Sequence, residues 1–81
     1  MEIIFKLNGQ QMRLSTQDVE QAVAETAPEP IRTHLVIING QSYPPKQPFA
    51  LATGLDRLDF TTNQARTQLR RLGYRVDRIG K

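Results

Sequence analysis

The sequence predicts a small α+β domain, and three features carry that expectation. Two Asn-Gly pairs each sit between segments fit to be strands. Two stretches place apolar residues at helical spacing, and the last apolar segment alternates with period two. With 81 residues the chain has room for one core and not for two. The expected order is ββα-ββ-αα-β, a mainly antiparallel sheet with the helices packed on one face, in a single domain over 1–81.

Residues 2–7, Glu-Ile-Ile-Phe-Lys-Leu, are rich in β-branched and aromatic side chains and run into Asn8-Gly9. Both turn positions tolerate positive φ, so strands at 2–7 and 10–14 form a hairpin. Either Ile4 or Phe5 shares a face with Met12; the pattern leaves this register open. Ser15 and Thr16 offer hydroxyls to the next helix start, and Asp18 stands three residues beyond Ser15 in a capping-box arrangement. Val19, Ala22 and Val23 then form one apolar stripe, and the helix must end before Pro28.

His34-Leu-Val-Ile-Ile38 is the most apolar run and reads as the central strand, with Asn39-Gly40 turning it into Gln41-Ser42-Tyr43. After Pro44-Pro45, a helix is expected over 46–53, closed by Gly54. Leu55, Leu58 and Phe60 are expected to anchor the following loop. Thr61-Thr62 cap a helix over 62–72 with Ala65, Leu69 and Leu72 inward, and Tyr74–Ile79 is the last strand. The expected core is Ile4, Val19, Val23, Val36, Ile38, Phe49, Leu51, Leu69, Leu72 and Val76.

Composition excludes several functions. The absence of cysteine removes disulfides, thiolate metal sites and cysteine nucleophiles, and a single histidine, His34, removes a histidine metal cluster. Asp56 and Asp59 have no third acid or histidine near them in sequence and read as loop caps. No phosphate-binding glycine loop or nucleophile–base motif is present, so the expectation is no enzyme, no metal and no cofactor. No apolar run approaches a membrane span, and Glu2 directly follows Met1, so a cytoplasmic location is expected.

Charge is uneven. Residues 1–30 hold five carboxylates against two cations, whereas residues 31–81 hold nine cations against three carboxylates. That asymmetry suits a polyanionic partner, and arginine outnumbers lysine by eight to three, which favours bidentate phosphate contacts. On the 62–72 helix, Asn63, Arg66, Thr67, Arg70 and Arg71 lie opposite the apolar stripe, with Arg66 and Arg70 one turn apart. The same face also reads simply as a solvated helix surface. Tyr43 is a candidate for stacking on a base and Lys46 for phosphate contact; the competing reading makes Tyr43-Pro-Pro-Lys46 a rigid corner with Tyr43 at the core rim. The candidate nucleic-acid-binding residues are therefore Tyr43, Lys46, Arg66, Arg70 and Arg71, with duplex DNA as the expected partner. The alternative is a protein-docking module that uses the acidic first helix or a free strand edge.

Leu35-Val-Ile-Ile-Asn-Gly40, Tyr43-Pro-Pro-Lys46, Ala50-Leu-Ala-Thr-Gly54, Leu58-Asp-Phe60 and Leu69-Arg-Arg-Leu-Gly-Tyr74 together form a pattern. Over about residues 32–76 it resembles the small N-terminal head domain of McrA-type, modification-dependent HNH endonucleases and related bacterial defence proteins. Residues 1–81 include neither the HNH nuclease nor the modified-base-reading domain of that family. The resemblance thus implies a DNA-associated accessory module and carries over no nuclease activity.

Overall fold

Both Asn-Gly pairs are hairpin tips. Asn8 and Gly9 have φ of 53° and 78°, and Asn39 and Gly40 have 52° and 80°. Positive φ at both central residues gives the turn whose twist matches that of paired strands. In the computed structural model, which describes residues 1–79, strand β1 (Glu2–Leu7) pairs antiparallel with β2 (Gln10–Ser15). Helix α1 (Thr16–Val23) follows, then β3 (His34–Ile38), β4 (Gln41–Tyr43), α2 (Lys46–Thr53), a 3-10 turn (Arg57–Asp59), α3 (Thr62–Arg71) and β5 (Arg75–Arg78). The order is the expected ββα-ββ-αα-β.

The strands form two sheets: β1 with β2, and β4-β3-β5 with β3 in the centre, every pairing antiparallel. Helix α3 packs against β1 as well as β3 and β5, so it joins the two sheets, while α1 and α2 pack on each other. Aromatic rings fill the centre. Phe49 of α2 is fully buried, with its ring centroid 5.9 Å from that of Phe5 and 4.8 Å, edge-on, from that of Phe60.

Helix starts follow the sequence closely. The Ser15 hydroxyl accepts from the Asp18 amide at 3.0 Å, and the Asp18 carboxylate accepts from the Ser15 amide at 3.1 Å. Thr61 and Gln64 repeat this reciprocal arrangement at the start of α3. Gly54 closes α2 at φ 76°, its amide donating to the Ala50 carbonyl.

Three residues expected to point inward lie outside. Phe5, not Ile4, pairs with Met12, and Ile4 is 56% exposed. Alternation allows one face inward, and the set Ile3, Phe5, Leu7 removes more apolar surface from water than Glu2, Ile4, Lys6. Leu51 is half-exposed because it lies two residues, about 200° of rotation, past the buried Phe49. Leu58 is 92% exposed in the 3-10 turn, where its amide donates to Asp56 Oδ1, and Leu55 and Phe60 anchor this loop instead. Val76 is half-buried on the edge strand β5, beside Val36. The core also takes in Ile3, Phe5, Leu7, Leu14, Tyr43, Phe60 and Ala65.

The proline connector between α1 and β3 is held by a buried side chain. Gln47 Nε2 donates to the Ala27 carbonyl and Gln47 Oε1 accepts from the Glu29 amide, both at 2.9 Å. Two backbone groups that no helix or strand satisfies thereby find partners.

Candidate nucleic-acid interface

Helix α3 turns Ala65 and Leu69 inward, which leaves Asn63, Arg66, Thr67 and Arg70 on its outer side. Beside that face runs a groove of about 480 Å³ whose opposite wall is the end of β1, at Lys6 and Leu7. Lys6 reaches it because strand alternation buries Phe5 and Leu7 and so turns Lys6 outward. Lys6, Arg66 and Arg70 line this groove, together with amide and hydroxyl side chains; no carboxylate lines it among the described residues. The Arg66 guanidinium donates to Asn63 Oδ1 at 2.8 Å, which orients it along the helix. Arg70 is exposed and enters no ion pair among the described residues.

A second groove, of about 910 Å³, opens on the other side of Asn63, which lines both. Pro30, Pro44 and Pro45 form rigid apolar walls, and Arg32, His34, Lys46, Arg57, Thr61 and Thr62 supply polar groups. One carboxylate, Glu29, lines it, and Arg57 holds that carboxylate bidentately at 2.6 and 2.7 Å. The Arg57 hydrogen bond lowers the Glu29 pKa, and Glu29 raises that of Arg57. The Lys46 ammonium donates to the Arg57 carbonyl at 2.9 Å and lies 5.2 Å from the Phe60 ring centroid. The two grooves together are lined by six cations against that one carboxylate.

The structure thus brings Lys46, Arg66 and Arg70 to adjoining grooves and separates two other expected residues from them. Tyr43 is 3% exposed, a core residue whose hydroxyl donates to Gln41 Oε1 at 2.9 Å; its ring is not accessible for stacking on a base, which corrects the sequence reading. Arg71 lines neither groove. It lies about 100° beyond Arg70 on the helix, and its guanidinium donates to Gln68 Oε1 at 2.8 Å and to the Ile4 carbonyl. Lys6 and Arg32 are contributors that spacing along the chain gives no means of joining to α3. The period-two pattern of β1 is the one signal, since it turns Lys6 to the outside.

His34 lies at the boundary of the core. Its Nδ1 is buried and has no hydrogen-bond partner among the described residues, and the same is true of Arg66 Nε. Burial lowers the His34 pKa from 6.5, with the positive charges of Arg66 and Arg78 adding to the effect. A histidine whose folded pKa is depressed contributes stability that is complete above 6.5 and is lost as pH falls through the folded value. Thermal melts should therefore show a loss of stability beginning near pH 6.5 that His34→Gln removes. Losses from Glu29 and Asp77, whose pKa values are also lowered, begin only below about 4.5 and remain in that variant. An unchanged pH profile in His34→Gln would refute this assignment.

Among the described residues no three histidine or carboxylate side chains cluster to hold a metal ion, and no helix is long and apolar enough to cross a membrane. A family model described as SCO5918-like matches residues 8–81. No curated protein and no solved structure gives a significant match. The family match makes no connection to the endonuclease head domains, so a nucleic-acid reading stands on the two grooves and not on that resemblance.

Proposed function

The chain belongs to the SCO5918-like family, and we propose that it is a non-catalytic module that binds nucleic acid, with duplex DNA as the preferred form. The observation that supports this reading is the pair of adjoining grooves, joined at Asn63 and lined by Lys6, Arg32, Lys46, Arg57, Arg66 and Arg70 against the single carboxylate Glu29. Glu29 is already paired with Arg57, and none of the remaining cations pairs with a carboxylate among the described residues. A row of cations along one face attracts a polyanion and releases its counterions on contact.

Each residue has a role that suits its geometry. Arg70 and Lys6, on opposite walls of the smaller groove, contact phosphates. Arg66, held by Asn63, presents a planar fork in fixed orientation, which suits a bidentate contact to a phosphate or a guanine edge. Asn63, Gln64, Thr67 and Gln68 supply neutral hydrogen-bonding groups along the same wall. Lys46, engaged by the Arg57 carbonyl, contributes field more than direct contact. Titration of a labelled duplex at low salt is the test, with Arg66→Ala/Arg70→Ala as the comparison and Arg13→Ala as the control, since Arg13 pairs with Glu2 and lines neither groove. The double variant should bind more weakly and the control should match the wild type. Equal binding by the wild type and the double variant would overturn the proposal.

A further inference from the structure

The larger groove has a composition that general polyanion attraction does not account for. Three prolines, Pro30, Pro44 and Pro45, line it alongside an unusual collection of hydrogen-bonding groups. Its volume, about 910 Å³, falls in the range of roughly 300–1,000 Å³ typical of small-ligand sites and greatly exceeds what a bare inorganic anion needs. Arg32 is exposed at its rim and enters no ion pair among the described residues. His34 also lines it, with its Nδ1 buried away from solvent. The Asn63 amide oxygen is used by Arg66, and its amide nitrogen makes no hydrogen bond among the described residues. Lys46 adds positive charge from the α2 side.

We propose that this groove is a site for a phosphomonoester carried on a ring-bearing body, namely the terminal 5′-phosphate of a nucleic-acid strand or the phosphate of a free mononucleotide. A phosphomonoester carries nearly two negative charges at neutral pH and presents three terminal oxygens, which is more than a carboxylate offers. Arg32 and Lys46 supply the opposing charge, and the Thr62 hydroxyl and the Asn63 amide supply further donors. The exposed Pro30 and half-buried Pro44 rings give a sugar or base an apolar surface on which to rest. These walls are preformed, because proline fixes φ and Gln47 and Arg57 hold the connector that carries Pro30. His34 lines the groove, so its amide reports on what occupies it. This inference rests on the nucleic-acid reading for its strand-end form: a strand tracking along α3 past Asn63 delivers its end into the proline-walled groove.

The test uses three probes on the full chain. Amide spectra are recorded during titration with adenosine monophosphate, and separately with adenosine. Affinities are then measured for one duplex sequence bearing either a 5′-phosphate or a 5′-hydroxyl. Adenosine monophosphate should shift the amides of Arg32, His34, Thr62 and Asn63, and adenosine should leave them in place. The phosphorylated duplex should bind about tenfold more tightly than the hydroxyl form, and Arg32→Ala should remove that difference, whereas Arg70→Ala should weaken both duplexes alike. Shifts with the mononucleotide but equal affinity for the two duplexes would assign the groove to the free mononucleotide. Duplex binding without any effect of phosphate, in either experiment, would overturn this inference and leave the interface proposal standing. Mononucleotide shifts without any duplex binding would do the reverse.

Discussion

Phe49→Ala is expected to destabilise the domain by about 3–5 kcal/mol, the range for truncating a large buried aromatic. Phe49 is fully buried and bridges the rings of Phe5 on the N-terminal hairpin and Phe60 after the 3-10 turn, so its loss removes both aromatic contacts and opens a cavity at the centre of the core. A domain of this length holds roughly 4–12 kcal/mol in total. The variant should therefore be marginal or unfolded at room temperature. Urea denaturation measures this directly, with Leu51→Ala on the exposed side of the same helix as the reference. That change should cost less than about 1 kcal/mol. Similar losses in the two variants would mean that α2 presents a different face to the core.

Lys6→Glu/Arg70→Glu is expected to lower duplex affinity by about a hundredfold at low salt. Two phosphate contacts are lost, and two carboxylates enter a groove that has none among the described residues. Both side chains are exposed, so the melting temperature should stay within a few degrees of the wild type. Gel-shift or anisotropy titration separates this from a folding defect. Affinity within twofold of the wild type would place the binding surface elsewhere.

Local chemistry explains which parts of the fold are legible in the sequence. The Asn-Gly turns, the Ser15–Asp18 and Thr61 caps and the Gly54 closure depend on residues adjacent in the chain, and each appears where the sequence puts it. Ile4, Leu51 and Leu58 depart from expectation because each is apolar beside more strongly buried neighbours, and only the packing of β1, α2 and the 3-10 turn decides which side faces inward. The division into two sheets is likewise invisible in the sequence, since it depends on α3 lying against both. At the site, Arg66 and Arg70 are legible from their one-turn spacing. Tyr43 is not available as expected because its burial comes from long-range packing, and Arg71 is not because one step around the helix carries it toward the backbone of β1. Lys6 and Arg32 stand far from α3 in the chain, and Gln47, a polar residue in an apolar helix, gives no hint that it clamps the connector.

Binding of nucleic acid through phosphate neutralisation at this surface is tested most directly by the salt dependence of duplex affinity. With about three to five phosphate contacts, the slope of log K against log salt concentration should be about −2.7 to −4.5, which amounts to a loss on the order of a hundredfold between about 50 and 200 mM. Arg66→Ala and Arg70→Ala should each flatten the slope by about one if both residues touch phosphates. A slope near zero in the wild type, or the same slope in all three proteins, would rule out phosphate neutralisation by this surface.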